Sequence, residues 1–298
     1  MLKIFTTWKK NKQKEKFFSW KQFSDNFGKE MASSKEVFNY MKENGLKEYS
    51  FSKFDFHFIS NAKSKLEKLQ VFLQEHYPYK VMSLKKIKKG QWELNGETNE
   101  IPITESILLY WCLDMYKRGY EFDAKLDGYG APFDPQSQNY PNFETSKEEY
   151  YFDKGVECYN SGNLIGSLIN WTIVIKINPK DPNSYYSRAI VKNELHTWKS
   201  AIKDYDKAIE IAPDFISALT NRGSVKDENG NYKEAIEDYN KVINIEKVDL
   251  ENKQMAYYNK GNSEYNLGNK ENACIDWEKA YKLGAEYALE RINEKCKN

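Results

Sequence analysis

The chain has 298 residues, with 45 Lys+Arg against 44 Asp+Glu and 40% hydrophobic residues. That length gives a prior of two domains, and the near-balanced charge removes any whole-chain polyelectrolyte argument for nucleic acid. No window approaches the ~20 apolar residues of a membrane helix, and the N-terminus lacks the apolar core and cleavage site of a secretory signal. The four cysteines, Cys112, Cys158, Cys274 and Cys296, form no C-x-x-C pair. They read as reduced thiols in a cytoplasmic protein.

Residues 1–19, "MLKIFTTWKKNKQKEKFFS", are basic and read as a solvated arm. Contact with RNA or an acidic surface is the alternative, but neither this tail nor "KKIKK" at 85–89 amounts to a nucleic-acid footprint, so direct nucleic-acid binding is not expected. "SSKEVFNYMKENG" (33–45) predicts a helix, with Ser33 and Glu36 as a capping box and Gly45 at its end. "FSKFDFHFIS" (51–60) sets Phe54, Phe56 and Phe58 against Asp55 and His57 with period two, a half-buried strand. Residues 61–78 predict a helix with Leu66, Leu69, Val71 and Leu73 on its apolar side. Two strands follow at about 79–87 and 90–97, turned at Lys89-Gly90, and 102–119 is a second apolar helix. A short segment, "DAKLDGYGAPFD" (123–134), closes this half. The order helix, then β-α-β-β-α-β, predicts an α+β domain of ferredoxin-like (split βαβ) type over 20–134.

Residues 30–134, and most clearly 76–133, are similar to the ribonuclease E inhibitor B family. Glu121, Phe122 and Asp123 match the start of that family's Glu-aromatic-Asp-Gly-Trp-Gly signature. Asp127, Gly128, Tyr129 and Gly130 match its end, with inserted residues between the parts and Tyr for Trp. The resemblance implies a partner surface that includes Glu121, Asp123, Asp127 and Tyr129, and a ribonuclease as the kind of partner. The residues alone read as a joint, with Gly128 and Gly130 permitting a tight turn and Tyr129 anchoring it on the core. Residues 135–147, "PQSQNYPNFETSK", then read as a polar linker.

From 148 to the end the chain repeats. Gly155, Ala189, Gly223 and Gly261 are spaced by 34, 34 and 38 residues, and ~34 is a period of paired helices. Each is followed at the same offset by Trp171, Tyr205, Tyr239 and Trp277. Ser167, Ala201, Ala235 and Ala273 mark the second helices. Gly162, His196, Gly230 and Gly268 stand at the turns. The pattern resembles the tetratricopeptide repeat family: four repeats of an all-α solenoid and a capping helix carrying Ala288, Leu289 and Ile292. "EKVDLENKQ" adds four residues before the last repeat.

In that family, peptides lie on the inner face of each first helix. The positions here are Phe152, Val156 and Tyr159; Tyr186, Ile190 and Asn193; Thr220, Ser224 and Asp227; and Tyr258, Asn262 and Tyr265. Of these, Phe152, Tyr159, Tyr186, Asn193, Tyr258, Asn262 and Tyr265 are the candidate partner-binding residues. The Lys, Asn and Arg clamp by which chaperone-binding members grip a C-terminal carboxylate is missing. Arg188, Arg222 and Lys260 each precede an aspartate, Asp204, Asp238 and Asp276, by sixteen residues. An exposed ion pair within each repeat is the expected use, worth ~0–1 kcal/mol.

Nothing points to chemistry. His57, His76 and His196 share no motif, and there is no phosphate loop, H-E-x-x-H or G-x-S-x-G. His57 reads as a hydrogen-bonded surface residue. The expectation is a non-catalytic interaction protein with no cofactor, no metal and no membrane. It would be a regulator or inhibitor that binds a ribonuclease or RNA-processing assembly. The alternatives are a general scaffold or adaptor, or an immunity protein against a toxin nuclease.

Overall fold

The computed structural model describes residues 16–130, 138 and 143–296. They form two compact units that divide between Asn178 and Pro179. Most of the basic tail therefore lies outside the described residues, as does most of the linker.

The first unit opens with α1 (Trp20–Glu43). The Ser33 and Glu36 pair predicts a start at residue 33. Trp20, Phe23 and Phe27 extend its apolar stripe N-terminally, and Ser19 with Gln22 forms the capping box instead. Ser33 is an interior residue of this helix. Gly45, at φ +96°, ends it as expected. Phe18, within the segment read as a solvated arm, is buried against Tyr116 at 5.4 Å and Phe23 at 6.1 Å.

The predicted strand at 51–60 is two pieces. β1 (Phe51–Ser52) pairs with β5 (Ile101–Pro102) in a small ribbon, and β2 (Asp55–Ser60) enters a four-stranded sheet. That sheet also holds β3 (Lys80–Lys86), β4 (Trp92–Glu97) and β6 (Lys125–Gly130). Its order is β3-β4-β2-β6 and every pair is antiparallel. Between β2 and β3 runs α2 (Lys63–His76), and between β5 and β6 runs α3 (Glu105–Glu121). Phe56 and Phe58 are opposite Gly96 and Leu94 on one side and Tyr129 and Leu126 on the other, all on the inner face of the sheet. A methyl group at Gly96 would lie 2.4 Å from the Phe56 ring, so the large side chain is matched by the absent one. Leu66, Leu69 and Leu73 of α2 are buried, whereas Val71 is exposed. It falls off the i, i+3, i+7 row that faces the core.

The hairpin α4 (Glu148–Asn160) and α5 (Leu164–Ile177) belongs to this same unit. α5 packs on α4 and also on α3, and it is buried nearly all round, as "LIGSLINWTIVIKI" requires. His76 Nδ1 is 3.1 Å from the Ser161 carbonyl, and Lys176 lies 5.6 Å from the Tyr49 ring centre.

The second unit is helical throughout its described residues. α6 (Pro182–Glu194) pairs with α7 (Trp198–Ile211), α8 (Ile216–Glu228) with α9 (Tyr232–Asn244), and α10 (Leu250–Asn266) with α11 (Lys270–Lys282). α12 (Ala288–Lys295) caps α11. The small residue and the aromatic sixteen later meet face to face. A methyl at Gly223 would lie 2.8 Å from Tyr239, and one at Gly261 2.6 Å from Trp277. His196 adopts φ +58° at its turn, where the neighbouring repeats use glycine. The four added residues lengthen α10 to 17 residues against 13 in α6 and α8, one further turn, capped by Asp249 on the Asn252 N–H at 2.9 Å. In α12, Ala288 is buried and Ile292 half-buried, but Leu289 faces solvent. Among the described residues, no helix is long and apolar enough to cross a membrane.

Candidate partner-binding faces

The four signature residues of the first unit have different environments. Glu121 Oε2 accepts from Arg118 Nη1 at 2.9 Å and is partly exposed. Asp127 pairs with Lys125 at 3.1 Å and is exposed. Tyr129 is pinned: its ring meets Trp111 edge-on at 5.6 Å, and its hydroxyl donates to Ser33 Oγ at 3.4 Å. Burial pushes its phenol well above the usual range, with Cys112 adding to the shift. Asp123 is at φ +54° and points inward. One carboxylate oxygen accepts the Phe18 N–H at 2.8 Å, the other takes Lys65 Nζ at 2.5 Å, and its carbonyl accepts from Ser60 Oγ at 2.9 Å. Of the three acids, Glu121 and Asp127 present carboxylates to solvent.

Sequence reasoning did not assemble the outer face of the sheet. There His57 Nδ1 hydrogen-bonds Asn95 Oδ1, and Asn95 Nδ2 donates to Ser83 Oγ at 3.1 Å and Glu93 Oε2 at 2.9 Å. The Asn95 amide foremost, with Lys85 Nζ at 3.3 Å, holds the Glu93 carboxyl below its ordinary range. The period-two pattern marked this face as polar; which strands lie side by side, and so which polar groups meet, was not in the pattern. Among the described residues, no group of three or more His, Cys, Asp or Glu is placed to hold a metal ion.

On the first hairpin, Phe152 and Tyr159 flank Trp171, at 6.5 and 6.2 Å between ring centres. In the second unit the first helices lie side by side. Asn221 Nδ2 donates to Tyr186 OH at 3.2 Å, joining α8 to α6, and Ser263 Oγ donates to Asp227 at 2.7 Å, joining α10 to α8. Tyr239 OH also donates to Asp227, at 2.9 Å. Burial raises the Asp227 carboxyl despite these donors. Asn262 Oδ1 accepts from Trp277 Nε1 at 3.2 Å, and Asn193 keeps a buried carbonyl oxygen without a hydrogen-bond partner. Tyr258 and Tyr265 face the cap: Tyr287 meets Tyr258 edge-on at 4.9 Å, and Lys295 Nζ lies 5.7 Å from the Tyr265 ring. Asn221, Tyr239 and Ser263 were missed, because one repeat read alone does not show what the next helix brings beside it.

The ion pairs form as expected, but they are buried. Asp204 takes Arg188 through two bonds of 2.8 Å and Lys192 at 2.7 Å. Asp238 takes Arg222 at 2.9 and 2.5 Å and Lys226 at 2.7 Å, and Asp276 takes Lys260 at 3.2 Å. The second cation, four residues after the first, sits one turn further along the same helix face.

Family comparison matches residues 204–237, and separately 256–285, to the tetratricopeptide repeat. These segments are tetratricopeptide repeats. Over 81 residues the chain is 31% identical to Hsp70-Hsp90 organizing protein 2 of Arabidopsis thaliana, which is 24% of this chain and 14% of that protein, well under two thirds of its length. Among solved structures it is similar to MamA 41-end from Desulfovibrio magneticus RS-1, with a TM-score of 0.43 and 19% identity over 50% of this chain and 88% of that one. It is also similar to the first TPR of Spaghetti (RPAP3) bound to the HSP90 peptide SRMEEVD, with a TM-score of 0.38 and 20% identity over 42% and 98% of the two chains. Tetratricopeptide proteins mediate protein–protein interactions and are generally non-catalytic scaffolds.

Proposed function

We propose that the chain is a non-catalytic adaptor that grips a protein partner along the inner faces of α6, α8 and α10. The observation that carries this reading is the lining of those faces. Tyr186, Asn193, Ser224, Asp227 and Asn262 stand on adjacent helices bridged by Asn221–Tyr186 and Ser263–Asp227 bonds. Aromatic rings and amides suit an extended segment held by stacking and backbone hydrogen bonds. Those positions carry no cation, so the face does not offer a clamp for a C-terminal carboxylate.

The finer reading makes the first unit a regulator of a ribonuclease or RNA-processing assembly. The strand order β3-β4-β2-β6, with α2 and α3 as the crossovers, supports a split βαβ arrangement of ferredoxin-like type. Exposed Glu121 and Asp127 support a partner surface there; Asp123 does not, since its carboxylate is already bound. The cytoplasm is the compartment proposed with this function.

Affinity capture from source cells with the full chain tests both readings. An Asn193→Arg/Ser224→Arg variant blocks the middle of the inner face, and a Glu121→Lys/Asp127→Lys variant reverses the acidic patch. The adaptor reading expects the first variant, still folded by circular dichroism, to lose its partners; retention of all of them refutes it. Loss of a ribonuclease or RNA-processing subunit with the second variant alone supports the regulator reading, and recovery of no such subunit by any form counts against it.

A further inference from the structure

Cys274 and Cys296 are not the reduced thiols read from the sequence. They are joined by a disulfide across 22 residues of sequence, with Cα atoms 5.7 Å apart. The bond ties α11 to the residue that follows α12. It became visible only when α12 folded back along α11. Cys112 and Cys158 are free.

α12 has little else to hold it. It is eight residues long, too short to persist as an isolated helix. It buries Ala288 fully and Ile292 in part, against Ala273, Trp277, Ala280 and Ala285. Yet this weakly anchored helix touches the inner-face residues of the last repeat. The loop leading into it brings Tyr287 onto Tyr258. Its Lys295 Nζ lies 5.7 Å from the ring centre of Tyr265. Both positions belong to the partner-binding row. Both cysteines are only partly buried, so a thiol in solution can reach them.

We infer that the Cys274–Cys296 disulfide is a redox latch that holds α12, and the Tyr287 that leads into it, against Tyr258, and that its reduction opens the last-repeat end of the binding face. The inference rests on the adaptor reading for the use of that face. The chemistry is thiol–disulfide exchange with a small-molecule or protein thiol. A thiolate attacks one sulfur, giving a mixed disulfide and one free cysteine; a second thiolate attacks the reductant sulfur of that mixed disulfide, releasing the second cysteine as its thiolate and carrying off both reductant sulfurs as a disulfide. Two electrons and two protons pass from two reductant thiols to Cys274 and Cys296. Once freed, α12 keeps only Ala288 and the half-buried Ile292 as anchors and frays, and Tyr258 is uncovered. A thiol-rich compartment therefore favours the open face and an oxidising one the latched face.

The test uses the full chain and no partner. The protein is oxidised with glutathione disulfide or reduced with dithiothreitol, and then followed by backbone hydrogen exchange and by tyrosine acetylation with N-acetylimidazole, read by mass spectrometry. Reduction is expected to speed exchange over residues 288–296 by at least about tenfold and to raise acetylation several-fold at Tyr258, while Tyr265, already exposed, changes little. Tyr239, remote from the cap in the preceding repeat, serves as the unchanged control. A Cys296→Ser variant without reductant is expected to behave as the reduced wild type. The latch is overturned if all four cysteines stay free after oxidation, or if protection of 288–296 and tyrosine acetylation are the same in both redox states. The adaptor reading stands or falls on the capture experiment, so a latch that opens on a chain that captures nothing refutes the adaptor and leaves the latch.

Discussion

Replacing Asp238 with alanine removes the acceptor of two cations at once. The side chain is 1% exposed and accepts two bonds from Arg222 and one from Lys226, whose own side chains are 10% and 11% exposed. Breaking a buried pair by deleting one partner costs about 3–5 kcal/mol, because the stranded charge remains out of water. Arg222 keeps a second acceptor, Asp206 at 2.6 Å, which is 52% exposed. That places the expected loss near the low end, at about 3 kcal/mol. Asp206→Ala is the internal control: it removes a bond from the same guanidinium, but an exposed one, worth about 0.2–1 kcal/mol. Urea unfolding followed by circular dichroism, with coincident fluorescence as the two-state check, measures both. In a thermal scan the Asp238 variant should melt about 6–12 °C below the wild type. If Asp238→Ala costs no more than Asp206→Ala, the claim that burial turns these pairs into structural elements is wrong.

Three further outcomes are expected. Burial, reinforced by Arg188, pushes the Lys192 ammonium down to about 8 despite its contact with Asp204. The unfolded chain then holds more protons between pH 8 and an ordinary lysine value of ~10.4, so stability should rise with pH through that window. Lys192→Met leaves Asp204 bonded to Arg188, so urea midpoints from pH 7 to 10 should lose that rise at a cost of under about 1 kcal/mol at pH 7; parallel curves for variant and wild type would refute this. Asp123→Ala strands the Phe18 N–H and Lys65 and should cost about 1–3 kcal/mol in urea unfolding, whereas Asp127→Ala should leave the midpoint unchanged; equal effects would return Asp123 to the surface. A methyl at Gly119 would sit 2.7 Å from the Ala124 carbonyl oxygen and 3.0 Å from Phe58, while one at Gly28 meets nothing within 4 Å. Gly119→Ala is therefore expected to destabilise by about 1–3 kcal/mol. Gly28→Ala, on the exposed face of α1, is expected to stabilise by about 0.5–1 kcal/mol; the same sign for both would undo the packing argument.

The helical half was legible because its information is local. Helix pairs, turn glycines, and the match between a small residue and an aromatic sixteen later all lie within one repeat. His196 could be placed at a left-handed turn from its position alone. The β-α-β-β-α-β order was legible for the same reason, through period two in "FDFHF" and apolar helical stripes on either side. What was misread lies where a neighbour outvotes a local signal. Ser33 looked like a cap because Ser-x-x-Glu is one, but Trp20, Phe23 and Phe27 find α3 to pack on, and that burial carries the helix through it. Asp123 looked like a site acid because it stands in the segment that resembles a family signature, yet Phe18, Ser60 and Lys65 all reach it.

By itself the sequence determined most of the helices and strands, and the helix hairpins that pair within each repeat, since these follow from spacings of a few residues along one chain. Tertiary structure alone decided that hairpin 148–177 packs with the first unit, through α5 on α3. It alone decided that the repeat aspartates are buried among two cations each in α6 and α8, and that Cys296 comes back to Cys274. Each of these depends on which surfaces meet after the helices have formed, and no one-dimensional pattern records the far side of a contact.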